Sequence, residues 1–218
     1  ETGINYIDTY HRSGLYPIPL PSGIGLEACS IIEEVGSEVK LFKVGDRVTR
    51  ASMPIGTYSE KQIIPEDKLV KVPDNVSDEV ASCITLKGIT AEYLLHRTYQ
   101  VKKGDKILYH AAAGALGQIF CPWANALGAE IIGTVGSDEK IEIAKKNGCH
   151  HVINYNEKNF VEEVEKIVGK NGLDVVYDGV GAKTFEGSIE VLKVRGMMVA
   201  FGNASGYVHT LDIKKHIN

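Results

Sequence analysis

The run KILYHAAAGALG, residues 106–117, leads four strand-prone residues straight into a turn of alanine and glycine. Such a junction can hold a phosphate. Backbone N–H groups reach a pyrophosphate only where side chains are small, and Ala111, Ala112, Ala113, Gly114 and Ala115 all qualify. A helix beginning there adds unpaired N–H groups and the positive end of its dipole. Against the dinucleotide fingerprint G-x-G-x-x-G, Gly114 and Gly117 hold the second and third glycine positions, and Ala112 stands at the first. The same residues also suit a tight strand-to-helix connection without a ligand, so the turn needs support from elsewhere in the chain.

The end of the next apolar run, EIIGTV at 130–135, would decide which dinucleotide binds. An NAD site usually places an acidic residue there to accept from the adenosine ribose hydroxyls. Here the strand end offers Gly136 and Ser137, with Lys140 one helical turn further on. A small hydrogen-bonding residue and a cation favour a 2′-phosphate, hence NADPH. Asp138 and Glu139 argue the other way, but acidic residues after an N-cap such as Ser137 also suit a first helical turn.

Stepping outward, the elements needed to position these residues alternate regularly. A helix over 116–127 ends at Gly128, and the strand 130–135 precedes a helical stretch at 138–146. Then come a strand at Val152 and Ile153, an amphipathic helix at 159–168, a strand at 173–177, a helix at 183–192 and a strand at 196–201. Short apolar strands alternating with helices predict a doubly wound parallel sheet covered on both faces. Its ligand belongs at the carboxyl ends of the strands, where Gly114, Gly136, Asp178 and Gly202 fall. Pro122 lies inside the first of these helices and predicts a kink there, at a cost of about 3 kcal/mol.

The first eighty residues read differently, with proline and glycine turns and short strands at 30–35, 47–49 and 58–64. They predict a small twisted all-β unit. Between the two parts, residues 77–99 predict a helix capped by Ser77 and interrupted at Lys87-Gly88, able to serve as a junction and a cleft wall.

The segments GINYIDTYHRSGLY (3–16), LKGITAEYLL (86–95), HAAAGALG (110–117), GTVGSDEK (133–140), INY (153–155) and VAFGNASG (199–206) together resemble the zinc-independent quinone oxidoreductases, the zeta-crystallin-like branch of the medium-chain dehydrogenase/reductase superfamily. The resemblance implies an α/β Rossmann domain at 87–218, lacking its last strand, preceded by an incomplete GroES-like β domain at 1–86. It implies NADPH as cofactor and hydride transfer to a small-molecule quinone or conjugated carbonyl. It places Tyr6, Ile7, Asp8, Thr9, Tyr10 and Thr90 on the nicotinamide side and Ala115 and Leu116 at the pyrophosphate. Gly136, Ser137, Asp138, Glu139 and Lys140 fall at the adenosine end, Tyr155 beside the 2′-phosphate, and Val180, Gly202, Asn203, Ala204 and Ser205 along the rest of the cofactor. The related enoyl and alkenal reductases, and a non-enzymatic NADPH-binding protein of the lens-crystallin kind or an inactive remnant, are the alternatives.

Where zinc-dependent relatives carry a cysteine and a histidine, this chain has Asn5 and Leu26, the latter just before Glu27, so no zinc is expected. The four cysteines, Cys29, Cys83, Cys121 and Cys149, form no C-x-x-C and read as free thiols of a reducing, cytoplasmic compartment. His150 and His151, as strand neighbours, point apart. Chemistry without a metal rests on positioning; the resemblance makes Tyr10 and Tyr16 the nearest candidate proton donors, neither of them obligatory.

At 218 residues, 44% hydrophobic and 24% charged, the chain has the composition of an ordinary soluble protein, and no apolar stretch approaches a membrane span. A net charge of −4, with lysines scattered among acidic residues, gives no footprint for nucleic acid. Compared with the family pattern, the chain begins inside the β domain and stops after five Rossmann strands. This predicts a truncated chain, in which the homodimer expected of the family is doubtful.

Overall fold

The structure is a computed structural model that describes residues 1–211; residues 212–218, the end of the expected dinucleotide-binding domain, lie outside the described residues. Two compact units divide the chain, one ending at Ile89 and the other beginning at Thr90.

In the first unit, β1 (Thr2–Gly3), β2 (Glu27–Ile31), β3 (Arg47–Ala51) and β4 (Val70–Lys71) form an antiparallel sheet in that order. Glu27 pairs with Ala51 and Ile31 with Arg47, which sets the register of its two long strands. The buried cluster of Cys29, Val72 and Ala81 is small. Three expectations fail here. The strand expected at 30–35 lies instead at Glu27–Ile31, and residues 32–35 are not strand. Residues 58–64 are not a strand: Ser59, Glu60 and Lys61 interrupt the apolar pattern, Ile63 is 96% exposed, and Gln62 instead donates through Nε2 to the Ile55 carbonyl at 2.9 Å. The unit is also not all-β, because residues Tyr6–Ser13 form helix α1. The pattern Asn5-x-x-Asp8 signals its start: Asp8 Oδ2 accepts from the Asn5 N–H at 2.9 Å, one half of a capping box. Gly14, at φ 78°, ends it.

Helix α2, Asp78–Tyr93, begins where expected, with the Val80 N–H donating to Ser77 Oγ at 3.3 Å. It is not interrupted at Lys87-Gly88. Glycine lowers helix propensity by about 1 kcal/mol but keeps its N–H, so the hydrogen-bond ladder can run through it. After Tyr93 the backbone widens into a π-helical turn, Leu94–Thr98.

The second unit holds a five-stranded parallel sheet of β5 (Lys106–Tyr109), β6 (Glu130–Val135), β7 (His151–Asn154), β8 (Leu173–Asp178) and β9 (Leu192–Ala200). Their spatial order is β7-β6-β5-β8-β9, a doubly wound arrangement that reverses direction at β5. Helices α3 (Gly117–Ala126), α4 (Ile141–Lys146), α5 (Phe160–Val168) and α6 (Phe185–Glu190) make the connections. Strand alternation sends Ile107, Tyr109, Ile131, Val175 and Tyr177 to one buried face and Leu108, Ile132 and Val176 to the other. Burial on both faces explains why these strands read as unbroken apolar runs. On the first face Tyr109 stacks on Phe120 of α3, with ring centroids 4.4 Å apart.

Two local expectations are revised in this unit. Helix α6 stops at Glu190, because β9 already starts at Leu192; a register shift beside Leu173 and Val175, with Arg195 at φ 66°, hides those first residues from a strand pattern. Pro122 lies inside helix α3, which runs Gly117–Ala126 as one element, as a helix kinked at a proline also can. Pro122 and Gln118, whose carbonyl the missing N–H would have served, are both exposed. Finally, Asp138–Lys140 is a turn of 3₁₀ helix whose Ser137 hydroxyl donates to Glu139 Oε1 at 3.2 Å and does not cap.

Candidate functional site

The turn after β5 is shaped by contacts that only small residues allow. Ala112 is fully buried and its N–H donates to the Thr134 carbonyl at 2.9 Å, tying the turn to β6. A Cβ on Gly117 would lie 2.3 Å from the Ala112 carbonyl oxygen, and one on Gly133 would lie 2.7 Å from the Ala112 methyl. So Gly117 is the close-packing glycine of the fingerprint. The left-handed residue of the turn is Ala111, at φ 59°, one position before the expected first glycine. Ala115 is exposed and Leu116 half-buried, and their N–H groups meet no acceptor among the described residues, as an anion-binding helix start requires.

At the end of β6, Gly136 comes together with Tyr155 and Asn156. A Cβ on Gly136 would sit 3.5 Å from the Tyr155 hydroxyl and 3.7 Å from Asn156 Nδ2, and Asn156 Nδ2 donates to the Gly136 carbonyl at 2.7 Å. Asp138 turns its Oδ1 to Asn154 Nδ2 at 2.8 Å. Glu139 accepts from Ser137, whereas Lys140 is exposed and forms no ion pair among the described residues. The carboxylates here therefore have partners, and the ammonium is left to the solvent.

The loops after β8 and β9 bring Val180 together with 202–205. The Ser205 N–H and hydroxyl both donate to the Val180 carbonyl, at 2.7 and 2.8 Å, and the Ala204 N–H donates to the Gly179 carbonyl at 3.2 Å. A Cβ on Gly202 would meet the Gly179 carbonyl oxygen at 2.7 Å, so the two loops touch backbone to backbone. Asn203 lies in this loop and closes its turn by accepting from the Gly206 N–H at 3.0 Å.

Beneath these loops lies a polar network that sequence reasoning missed. Asp178, fully buried at the end of β8, accepts from the Val180 and Gly181 N–H groups and from the Thr184 and Ser188 hydroxyls. His110 Nε2 is 2.9 Å from Ser188 Oγ and its Nδ1 is 2.9 Å from Thr134 Oγ1. Ser188 sends its hydrogen to the Thr184 carbonyl or Asp178, so its oxygen accepts from His110 Nε2–H, and Nδ1 accepts from Thr134. This assignment is the neutral imidazole. Burial holds the His110 pKa down to about 4, against a smaller opposing pull from Asp178.

In the first unit, α1 carries Tyr6, Ile7, Asp8, Thr9 and Tyr10. The Tyr10 ring lies 5.4 Å from Tyr6 and 5.0 Å from Tyr16, an aromatic cluster at that helix. The Thr9 hydroxyl is satisfied by the Tyr6 carbonyl at 2.6 Å. Asp8 is buried; its Oδ2 accepts from the Tyr58 hydroxyl at 2.8 Å, and its Oδ1 has no partner among the described residues. Burial, with Asp8 beside it, pushes the Tyr58 phenol up to about 12. Thr90, at the start of the second unit, is half-buried in α2.

Asn5 and Glu27 belong to a second arrangement that the residue spacing did not reveal. Glu27 is fully buried; its Oε2 accepts from Asn5 Nδ2 at 2.8 Å and pairs with Lys87 Nζ at 2.9 Å, and its Oε1 accepts from the Leu86 N–H at 2.7 Å. Lys87 Nζ also donates to Asn5 Oδ1 at 2.7 Å. A Cβ on Gly3 would lie 2.6 Å from Glu27 Oε2 and 2.1 Å from the Ser82 carbonyl, so this packing demands glycine at that position. Zinc takes thiolate, imidazole or carboxylate donors. Only Glu27 is one, and it is already paired with an ammonium. Among the described residues no three His, Cys, Asp or Glu side chains gather as a metal site would need. His150 Nδ1 accepts from the Ile131 N–H at 3.0 Å and His151 lies 3.5 Å from Glu130, so the two imidazoles do serve separate partners. All four cysteines are free thiols, with Cys83 exposed. A groove of about 500 Å³ in the first unit, lined by residues such as Ile31, Val48, Arg50 and Gln62, contains none of these site residues. No helix of the described residues is long and apolar enough to cross a membrane.

A parallel sheet of this order with a glycine turn at its reversal point is the doubly wound arrangement of dinucleotide-binding domains. The alcohol dehydrogenase GroES-like domain family matches residues 1–74, and the zinc-binding dehydrogenase family matches 115–217. A quinone oxidoreductase of Pseudomonas aeruginosa and a 2-haloacrylate reductase of a Burkholderia species are each 49% identical over 97% of this chain. The crystal structure of Escherichia coli quinone oxidoreductase complexed with NADPH matches at a TM-score of 0.95 and 50% identity, covering 98% of this chain and 66% of that one. The chain belongs to the quinone oxidoreductases of the medium-chain dehydrogenase/reductase superfamily. It spans 65% of the length of the Pseudomonas and Burkholderia relatives.

Proposed function

We propose that this protein is an NADPH-dependent oxidoreductase whose acceptor is a small quinone or other conjugated carbonyl. The observation that carries the reading is the end of β6, where Gly136, Tyr155 and Asn156 come together, Asp138 accepts from Asn154 and Glu139 from Ser137, and exposed Lys140 forms no ion pair among the described residues. That donor set suits a 2′-phosphate better than a pair of ribose hydroxyls. The N–H groups of Ala115 and Leu116 would hold the pyrophosphate, and Val180 with 202–205 would border the remainder of the cofactor. Tyr6 to Tyr10 and Thr90 would serve the nicotinamide side.

When bound, NADPH supplies a hydride. The chain's own residues orient the ring, exclude water and fix the acceptor, and proximity of this kind can supply a large part of the rate. Conjugated acids and ketones fall within the same acceptor class, as the likeness to a 2-haloacrylate reductase supports. We further propose a cytoplasmic location, consistent with four free thiols; the homodimer is the expectation for full-length members of the family and stays doubtful for this chain.

Calorimetric titration with NADPH and NADH, with para-benzoquinone turnover on the same sample, tests the reading. NADPH should bind at least about tenfold tighter, a difference of roughly 1.4 kcal/mol. Equal affinities would refute the phosphate site at 136–140. Binding without turnover of any quinone or enone would favour a dinucleotide-binding protein over an enzyme.

A further inference from the structure

Lys87 is the one cation in the cluster that joins α1, β2 and α2, and its surroundings are unusual for a lysine. Its side chain is only 13% exposed, and it faces a carboxylate that is fully buried. An ammonium has three N–H donors. One goes to Asn5 Oδ1 and one to Glu27 Oε2, and the third meets no acceptor among the described residues. Glu27, by contrast, is saturated on both oxygens, by Leu86 N–H on one and by Asn5 and Lys87 on the other. The cluster therefore holds the ammonium rigidly by two bonds and leaves one donor to spare. Lys87 is bonded to Asn5, the residue just before the helix turn that carries Tyr6 to Tyr10.

We propose that Lys87 is a catalytic residue whose third N–H binds the carbonyl oxygen of the acceptor and stabilises the negative charge that gathers there. This rests on the function proposed above. Hydride addition brings two electrons and one proton to the acceptor. In an enone the new C–H bond forms at the β-carbon, the C=C electron pair shifts, and the carbonyl oxygen becomes an enolate oxygen. In a quinone the product is the hydroquinone monoanion. Lys87 stays protonated throughout, and the proton that completes the product comes from solvent. A fixed, largely desolvated donor costs little reorganisation as charge develops, and this kind of electrostatic stabilisation is often the largest single contribution to catalysis. The ammonium would thus act as the electrophile in a site whose donor set does not suit zinc.

The test uses para-nitrophenolate as an oxyanion probe, because its absorption responds to a charge-assisted hydrogen bond and its binding needs neither cofactor nor turnover. Removing Lys87 alone would strand the buried Glu27 charge and could unfold the first unit, so the informative variant is the doubly neutral Lys87→Met/Glu27→Gln. Expected is at least a tenfold loss of para-nitrophenolate affinity and a fall in kcat of a hundredfold or more, with NADPH affinity unchanged. Retention of both probe binding and kcat would overturn the proposal. Should the double variant not fold, the unaltered chain still decides: saturating para-nitrophenolate must shift the NMR resonance of the Lys87 ammonium nitrogen, and an unmoved resonance refutes the contact. If the unaltered chain neither binds NADPH nor turns over, the proposed function fails on its own, and the probe arms still report on Lys87 as an oxyanion donor.

Discussion

Acidification should loosen this protein through one residue, His110. The imidazole is neutral and buried in the fold, with a pKa of about 4, and the same side chain titrates near 6.5 in an unfolded chain. Between those values the unfolded chain binds a proton that the folded chain refuses. The contribution is therefore intact above about pH 6.5 and is lost progressively as pH falls toward 4. A gap of about 2.5 pH units corresponds to roughly 3 kcal/mol, a sizeable share of a typical domain's stability. The cause is geometric: protonated Nδ1 would face the Thr134 hydroxyl as a donor, and no solvent could share the charge. Urea unfolding at several pH values, for wild type and His110→Gln, isolates the effect because the other titrating groups cancel in the difference. At pH 7 the variant should be about 1–3 kcal/mol less stable, from the Thr134 hydroxyl left without its acceptor and the loss of the edge-on contact with Phe160. That deficit should shrink by about 3 kcal/mol by pH 4, vanishing or reversing. Thr134 also receives the Ala112 N–H, so NADPH affinity should weaken over the same pH range in wild type. A stability difference that stays constant from pH 7 to pH 4 would refute the reasoning.

Helix α2 and the β6 end each offer a simpler substitution. Gly88 lies in the interior of α2 and an added Cβ would meet nothing within 4 Å, so Gly88→Ala should stabilise by about 1 kcal/mol, read as a higher urea midpoint; a lower midpoint would mean that the glycine serves a contact made elsewhere. Lys140→Ala should weaken NADPH about tenfold, or roughly 1.4 kcal/mol, and leave NADH unchanged by calorimetry; equal losses for both would place Lys140 away from the phosphate.

What could be read from the residues depended on whether the signal was local. The strand 130–135 was legible to the residue because it is an unbroken apolar run, with Ile131 and Val135 on one buried face and Ile132 on the other, whereas Tyr155 at the β6 end was expected only from the family resemblance. Helix α1 had a local signal too, Asn5 followed by Asp8, but it lay in a segment whose prolines and glycines suggested loops. Residues 58–64 misled in the opposite sense, since Tyr58 and Ile64 look like strand ends while the residues between them cannot alternate. The long-range clusters had no signal of this kind. Glu27 and Lys87 are sixty positions apart, and His110 and Ser188 are seventy-eight. Each residue alone looks ordinary. Yet Lys87-Gly88 reads in the sequence as a helix break, and at that point the Leu86 N–H is given to Glu27, so the helix is anchored there by a side chain from β2. A weak point in helix propensity thus coincides with the place where tertiary contacts take over. That coincidence is expected wherever a buried charge must be held at a fixed point by backbone and side chain together, because the polar groups that satisfy it have to be drawn from the regular structure around it.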